Sequence, residues 1–202
     1  MPQLVYERFR YKKALTLRRW PLLSSRLALL CLVLFSLSQT FAATGPDQSN
    51  NGNFSGNWTL DLEASTSLEP LMNQIGAGLL DRKYASQTKL KATLDQTDAE
   101  LKVATRGPGF ALDQTLYLDG HNDQSKLELL GATSIDSTVR WSKDHKQLVE
   151  THQIRTKQGK DGQLIIKRSL MDQGKTLVVS FTLKLSGESN ETSARQIWRK
   201  ES

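Results

Sequence analysis

The chain has 202 residues, 27 Lys and Arg against 21 Asp and Glu, and one cysteine. Its net charge of +6 looks like an invitation to nucleic acid or acidic membrane. Position removes that reading: Arg8, Arg10, Lys12, Lys13, Arg18, Arg19 and Arg26 face the single acid Glu7 within residues 1–42, and residues 43–202 are electrically balanced.

The basic stretch runs into Leu27 to Leu37 (LALLCLVLFSL), interrupted by Ser36 alone, and then into a polar tail with Thr40 and Ala42 at −3 and −1 of a cut after Ala42. Charged start, short apolar core and small-residue site together describe a secretory signal over residues 1–42. A spanning helix needs about twenty apolar residues, so the apolar run is short for one. An uncleaved signal anchor is the other reading. Leu30 precedes Cys31, where a lipoprotein signal places a small residue, so lipidation is not expected. Cleavage would leave a cysteine-free chain, secreted or periplasmic, that depends on its core rather than on disulfides. Residues 43–53 (ATGPDQSNNGN) have no period and read as a flexible linker.

From Phe54 onward, short segments with two-residue alternation recur: 54–62, 89–96, 100–106, 110–118, 126–130, 137–141, 148–156, 163–171, 176–185 and 191–200. Turn-forming clusters such as GPG, DGHNDQ, KQGKDG and SGESN separate them. Short turns make neighbours antiparallel, so the spacing predicts one domain over 54–202, an all-β ten-stranded up-and-down barrel. One segment departs. Between the first two strands, Ser67 to Tyr84 carries Leu68, Leu71, Met72, Ile75 and Leu79 at helical spacing, with Ser67 as candidate cap and Pro70 in the first turn. Gly76 and Gly78 predict a bend into two short helices, a helix-turn-helix between strands 1 and 2.

Phe54-Ser-Gly-Asn-Trp58 followed by Leu71-Met-Asn-Gln-Ile-Gly-Ala-Gly-Leu-Leu-Asp-Arg-Lys83 resembles the fatty-acid-binding protein family of the calycin, lipocalin-like group. Phe54, Gly56, Trp58, Leu60, Leu71, Met72, Gly76, Gly78, Arg82 and Lys83 fall on the family's pattern. The resemblance implies a barrel around a cavity, a helical lid over a portal with Leu71, Met72, Ile75 and Leu79 at it, and non-covalent binding of fatty acids or other hydrophobic ligands without catalysis. Many members hold a carboxylate with an Arg in the eighth strand and an Arg-x-Tyr pair in the last. Here the eighth strand places Arg168 on one face with Leu164, Ile166 and Leu170, where it suits an anionic ligand or an internal acid. The last strand departs from the pattern: aligning the aromatic puts Gln196 where the arginine would stand and Trp198 in place of tyrosine, with Arg195 on the opposite face.

Arg168, Gln196, Trp198, Phe181 and His152 are therefore the candidate ligand-binding residues. Leu177, Val179, Phe181, Leu183 and Leu185 are candidate walls, and Trp58 is expected to close the barrel floor. His121 and His145 sit in turns, and His152 shares a strand face with Leu148, Glu150 and Ile154. No two histidines have ligand spacing on one element, so no metal or cofactor is expected. No G-x-S-x-G elbow is present, and no carboxylate pair suggests acid–base work. The sequence thus points to an exported, monomeric, non-enzymatic barrel for a small hydrophobic or amphipathic ligand, touching membrane through its export signal alone. An envelope interaction or inhibitor module with a side-chain-filled barrel is the competing expectation, and interior volume discriminates between them.

Overall fold

A computed structural model describes residues 52–202. The expected export signal, its cut after Ala42 and most of the linker lie outside the described residues. The linker's last two residues are already tied down: the Gly52 carbonyl accepts from Gln96 Nε2 at 3.3 Å, and Asn53 Oδ1 accepts from the Ser55 N–H at 2.9 Å.

Alternating sequence becomes strand at each expected place: β1 (Gly56–Asp61), β2 (Lys91–Gln96), β3 (Glu100–Gly107), β4 (Phe110–Tyr117), β5 (Asn122–Asp123), β6 (Leu127–Leu129), β7 (Ala132–Trp141), β8 (Gln147–Arg155), β9 (Asp161–Met171), β10 (Thr176–Leu185) and β11 (Thr192–Lys200). Two differences from the sequence reading have a common origin in β7. It begins at Ala132 rather than at Ser137, because the pairing with β8 slips between Ser134 and Asp136. The bulge puts Ile135 on the outer face, 38% exposed, and destroys the alternation by which a strand is recognised. The two-residue β5, too short to carry a period, pairs with the outer half of β7.

The strands form one antiparallel sheet in the order β4-β3-β2-β1-β11-β10-β9-β8-β7-β5, with β6 also on β7. First and last strands are thus neighbours, paired from Trp58 opposite Lys200 to Asp61 opposite Ile197. The sheet curls until β4 comes round toward β5 and β6, and no ladder joins those edges. The up-and-down barrel is gapped at that seam.

The predicted helical segment is two helices, α1 (Glu69–Gln74) and α2 (Leu79–Gln87), broken where Gly76 takes a φ of +82°. Ser67 lies one residue earlier than a capping residue should: Leu68 holds the cap position, and Ser67 Oγ accepts the Glu69 N–H at 3.1 Å. On α1, Leu71, Met72 and Ile75 turn inward. Leu79 does not follow them, because the break at Gly76–Gly78 resets the helical phase. It is 59% exposed and Leu80 is 84% exposed. The motif cations Arg82 and Lys83 hold α2 against α1 by bonds to Asn73 Oδ1 and, at 3.1 Å, to Glu69 Oε2.

At the opposite end Trp58 is fully buried, and its indole N–H donates to the Phe54 carbonyl at 3.0 Å. Phe54 in turn stacks on Trp141 with centroids 5.7 Å apart. This aromatic floor and the helical lid bracket the interior.

Candidate functional site

Alternation along β9, β10 and β11 sends one residue in two toward the interior, and register aligns them in rows. Arg168, Val179 and Gln196 form one row, and Leu170, Leu177 and Trp198 the next. These rows, Leu170 excepted, and with them Phe181 and Ile166, face Leu94 and Val103 of β2 and β3 across a cavity of about 370 Å³. Met72, Ala77 and Tyr84 cover it from the lid, and Phe110 and Leu112 of β4 border it on one side of the seam with Leu129 and Gly131 on the other. The walls are mainly apolar. The polar groups on the row side are Arg168 and Gln196, flanking Val179.

Behind Arg168 the interior is filled by charge rather than space. Glu150, fully buried on β8, forms an ion pair with Arg168, which is itself 8% exposed. The two are diagonal neighbours, since Glu150 stands opposite Ile166 and Leu148 opposite Arg168. Burial lowers the Arg168 pKa to about 10, so the guanidinium remains charged at neutral pH. His152 completes the cluster. Its Nδ1 lies 3.0 Å from Ser134 Oγ, and its Nε2 lies 3.5 Å from Glu150 Oε2. Burial lowers the His152 pKa to about 4, so the ring is neutral at pH 7. A proton on Nε2, facing the carboxylate, with the Ser134 hydroxyl donating to Nδ1, is the tautomer that fits both contacts.

A serine, a histidine and an acid therefore converge in the order used by acyl-transfer enzymes. Ser134, His152 and Glu150 are 1%, 2% and 0% exposed, and none of them lines the cavity. Arg168 and Ile166 stand between them and the space a substrate would occupy, so the arrangement serves to satisfy a buried charge. Among the described residues no group of three or more His, Cys, Asp or Glu is placed to hold a metal ion.

Arg168, Phe181, Gln196 and Trp198 line the cavity. His152 does not: it is buried against Ser134 on the far side of the Arg168–Glu150 pair, because the β7 bulge brings Ser134 and not the cavity to its edge. Of the expected portal residues, Met72 lines the cavity, Leu71 and Ile75 are fully buried on the inner side of α1, and Leu79 faces solvent. Leu183 and Leu185 continue the inward face of β10 into solid core beyond the cavity. Arg195 points outward, as its register demands, and its carbonyl accepts from the Thr66 N–H at 2.8 Å. Glu150 was legible only as a member of the His152 face. The signal that marks it is an acid in phase with Leu148 and Ile154 on one strand and an arginine in phase with aliphatics on the next.

No protein-family model matches the chain, and no curated protein matches it. Solved structures do. A Schistosoma mansoni fatty acid binding protein in complex with arachidonic acid superposes with a TM-score of 0.57 at 16% identity, over 76% of this chain and 99% of that one. The chain has the fatty-acid-binding-protein fold. Apo Caenorhabditis elegans lipid binding protein 8 superposes at 0.54 and 16% identity, covering 73% and 95% of the two chains. A fatty-acid-binding protein from Drosophila melanogaster brain does so at 0.54 and 17%, covering 73% and 99%. The fatty-acid-binding-protein fold accounts for the gapped barrel and for the two helices placed between the first strands. The interior of this chain is its own, with Gln196 and Trp198 facing inward from the last strand and Arg168 already occupied by Glu150.

Proposed function

We propose that the chain is a non-enzymatic carrier of a small hydrophobic or amphipathic molecule, such as a fatty acid or another lipid-like ligand. The observation that carries this reading is the apolar cavity of about 370 Å³ between the β9–β11 rows, β2–β4 and the helical lid. Ligand sites commonly enclose about 300–1,000 Å³ and combine apolar walls with a few placed polar groups. Arg168 and Gln196 are those groups here. Affinity would come from apolar surface withdrawn from water, at roughly 25 cal/mol per Å² before the costs of ordering. The competing interaction module with a filled barrel is disfavoured by this space. The sealed position of Ser134 and His152 favours binding over catalysis.

Export belongs to the same proposal. The basic start, the Leu27–Leu37 run and the Ala42 site would deliver the barrel to the periplasm or the exterior, where it would act as a monomer on ligands held in its interior. Native mass spectrometry of the protein purified from its own host tests the carrier reading. A co-purifying lipid is the expected result. A bare protein mass, together with no binding across a panel of fatty acids and alcohols, would overturn it.

A further inference from the structure

The charge balance of the cavity bears on what kind of head group it accepts, given the carrier reading on which this inference rests. Arg168 is the cation among the described residues lining the cavity, and its charge is met from behind by Glu150. The remaining charged residues of the lining are Asp81 and Glu128, both exposed. Glu128 already accepts from Thr133 Oγ1 at 2.6 Å. The inner end of the cavity therefore offers an anion no uncompensated positive charge. A carboxylate placed there would give up its water and meet Glu150 through the guanidinium, an uncompensated burial of charge. Hydrogen-bond donors are present nonetheless. Gln196 presents an amide on the same face of β11 as Trp198, two residues along the strand, and Arg168 presents a guanidinium opposite Val179 beside it. A ligand that covers these donors strips them of water, and an acceptor oxygen on its head group would offset that cost.

We propose that the cavity selects an uncharged amphipathic ligand whose head carries a hydrogen-bond acceptor oxygen, a long-chain alcohol, ester or amide, and that Glu150 is the residue that excludes carboxylates. Glu150 acts here as a specificity-determining residue. It neutralises Arg168 in advance, so the inner end of the cavity holds polarity without net charge.

The test displaces Nile red, an uncharged fluorophore, from the purified full chain at neutral pH, using dodecanol and dodecanoic acid, which share a chain length and differ in head charge. At this pH the acid is ionised. Displacement by dodecanol at a concentration roughly ten-fold or more below that of dodecanoate is expected, from the penalty on an unpaired buried anion. Equal or tighter binding of dodecanoate overturns the inference and leaves the carrier reading standing. Failure of Nile red and of both ligands to bind overturns the two together. Glu150→Gln releases the charge of Arg168, and dodecanoate should gain roughly ten-fold in that variant from the freed counter-charge. No gain by a folded Glu150→Gln chain refutes the role of Glu150. Should circular dichroism show Glu150→Gln unfolded, the double variant Glu150→Leu/Arg168→Met takes its place. It removes both charges and should still prefer dodecanol, whereas a shift to dodecanoate overturns the assignment.

Discussion

Removing one partner of the buried ion pair should cost far more than removing both. Arg168 is 8% exposed and Glu150 fully buried, so neither charge has solvent to return to. Arginine does not shed its proton at neutral pH, and even with burial lowering it Arg168 stays at about 10. Glu150→Leu therefore leaves a charged guanidinium without a counter-ion, a loss of about 3–5 kcal/mol by analogy with broken buried pairs. Arg168→Met strands the carboxylate instead. Glu150 can escape by taking up a proton, and doing so at pH 7 from an ordinary pKa of about 4.3 costs about 4 kcal/mol, which caps the damage. The double variant Glu150→Leu/Arg168→Met replaces the pair with apolar groups of similar volume and should lie within about 2 kcal/mol of the wild type. A double-mutant cycle by urea unfolding, followed by tryptophan fluorescence, reads the coupling directly. The expected coupling is about 3 kcal/mol or more. Single losses below about 1 kcal/mol, or additive singles, would mean that Arg168 is compensated by something other than Glu150 and would remove the charge argument for the cavity.

Two further outcomes follow from the same geometry. His152 has its pKa lowered to about 4 by burial, so the unfolded chain binds a proton there that the fold refuses. Stability from this group is complete above pH 6.5 and falls as pH drops toward about 4, by about 3 kcal/mol in all. Replacing His152 with Gln should flatten that part of a stability–pH profile, and an unchanged slope would show that His152 is not buried neutral. Gly131, at a φ of +99°, lies where an added Cβ would come within 2.9 Å of the Ala77 Cβ at the helical break. Gly131→Val should cost about 2–4 kcal/mol through backbone strain and overpacking, and a thermal unfolding curve within about 0.5 kcal/mol of wild type would refute that contact.

Local chemistry determined most of the architecture. Two-residue alternation with turn clusters is a property of neighbouring residues, and it marked β1–β4 and β8–β11 within a few positions. The spacing of Leu71, Met72 and Ile75, ended by Gly76 and Gly78, likewise placed two helices between the first strands. Phase along β9, β10 and β11 was enough to turn Arg168, Phe181, Gln196 and Trp198 toward one interior and Arg195 away from it. What the sequence alone left open depends on distance along the chain. The bulge at Ser134–Asp136 is a mismatch between two strands, so no pattern within β7 announces it, yet it decides that His152 meets Ser134 and not the cavity. Leu79 kept the helical spacing and lost the helical face, because the break in the backbone set its direction. Above all, whether Arg168 waits for a ligand's charge or already has one was undecidable on its own strand. Only the register of β8 against β9 sets Glu150 diagonally beside it, and that single pairing decides that the inner end of the cavity is polar without net charge.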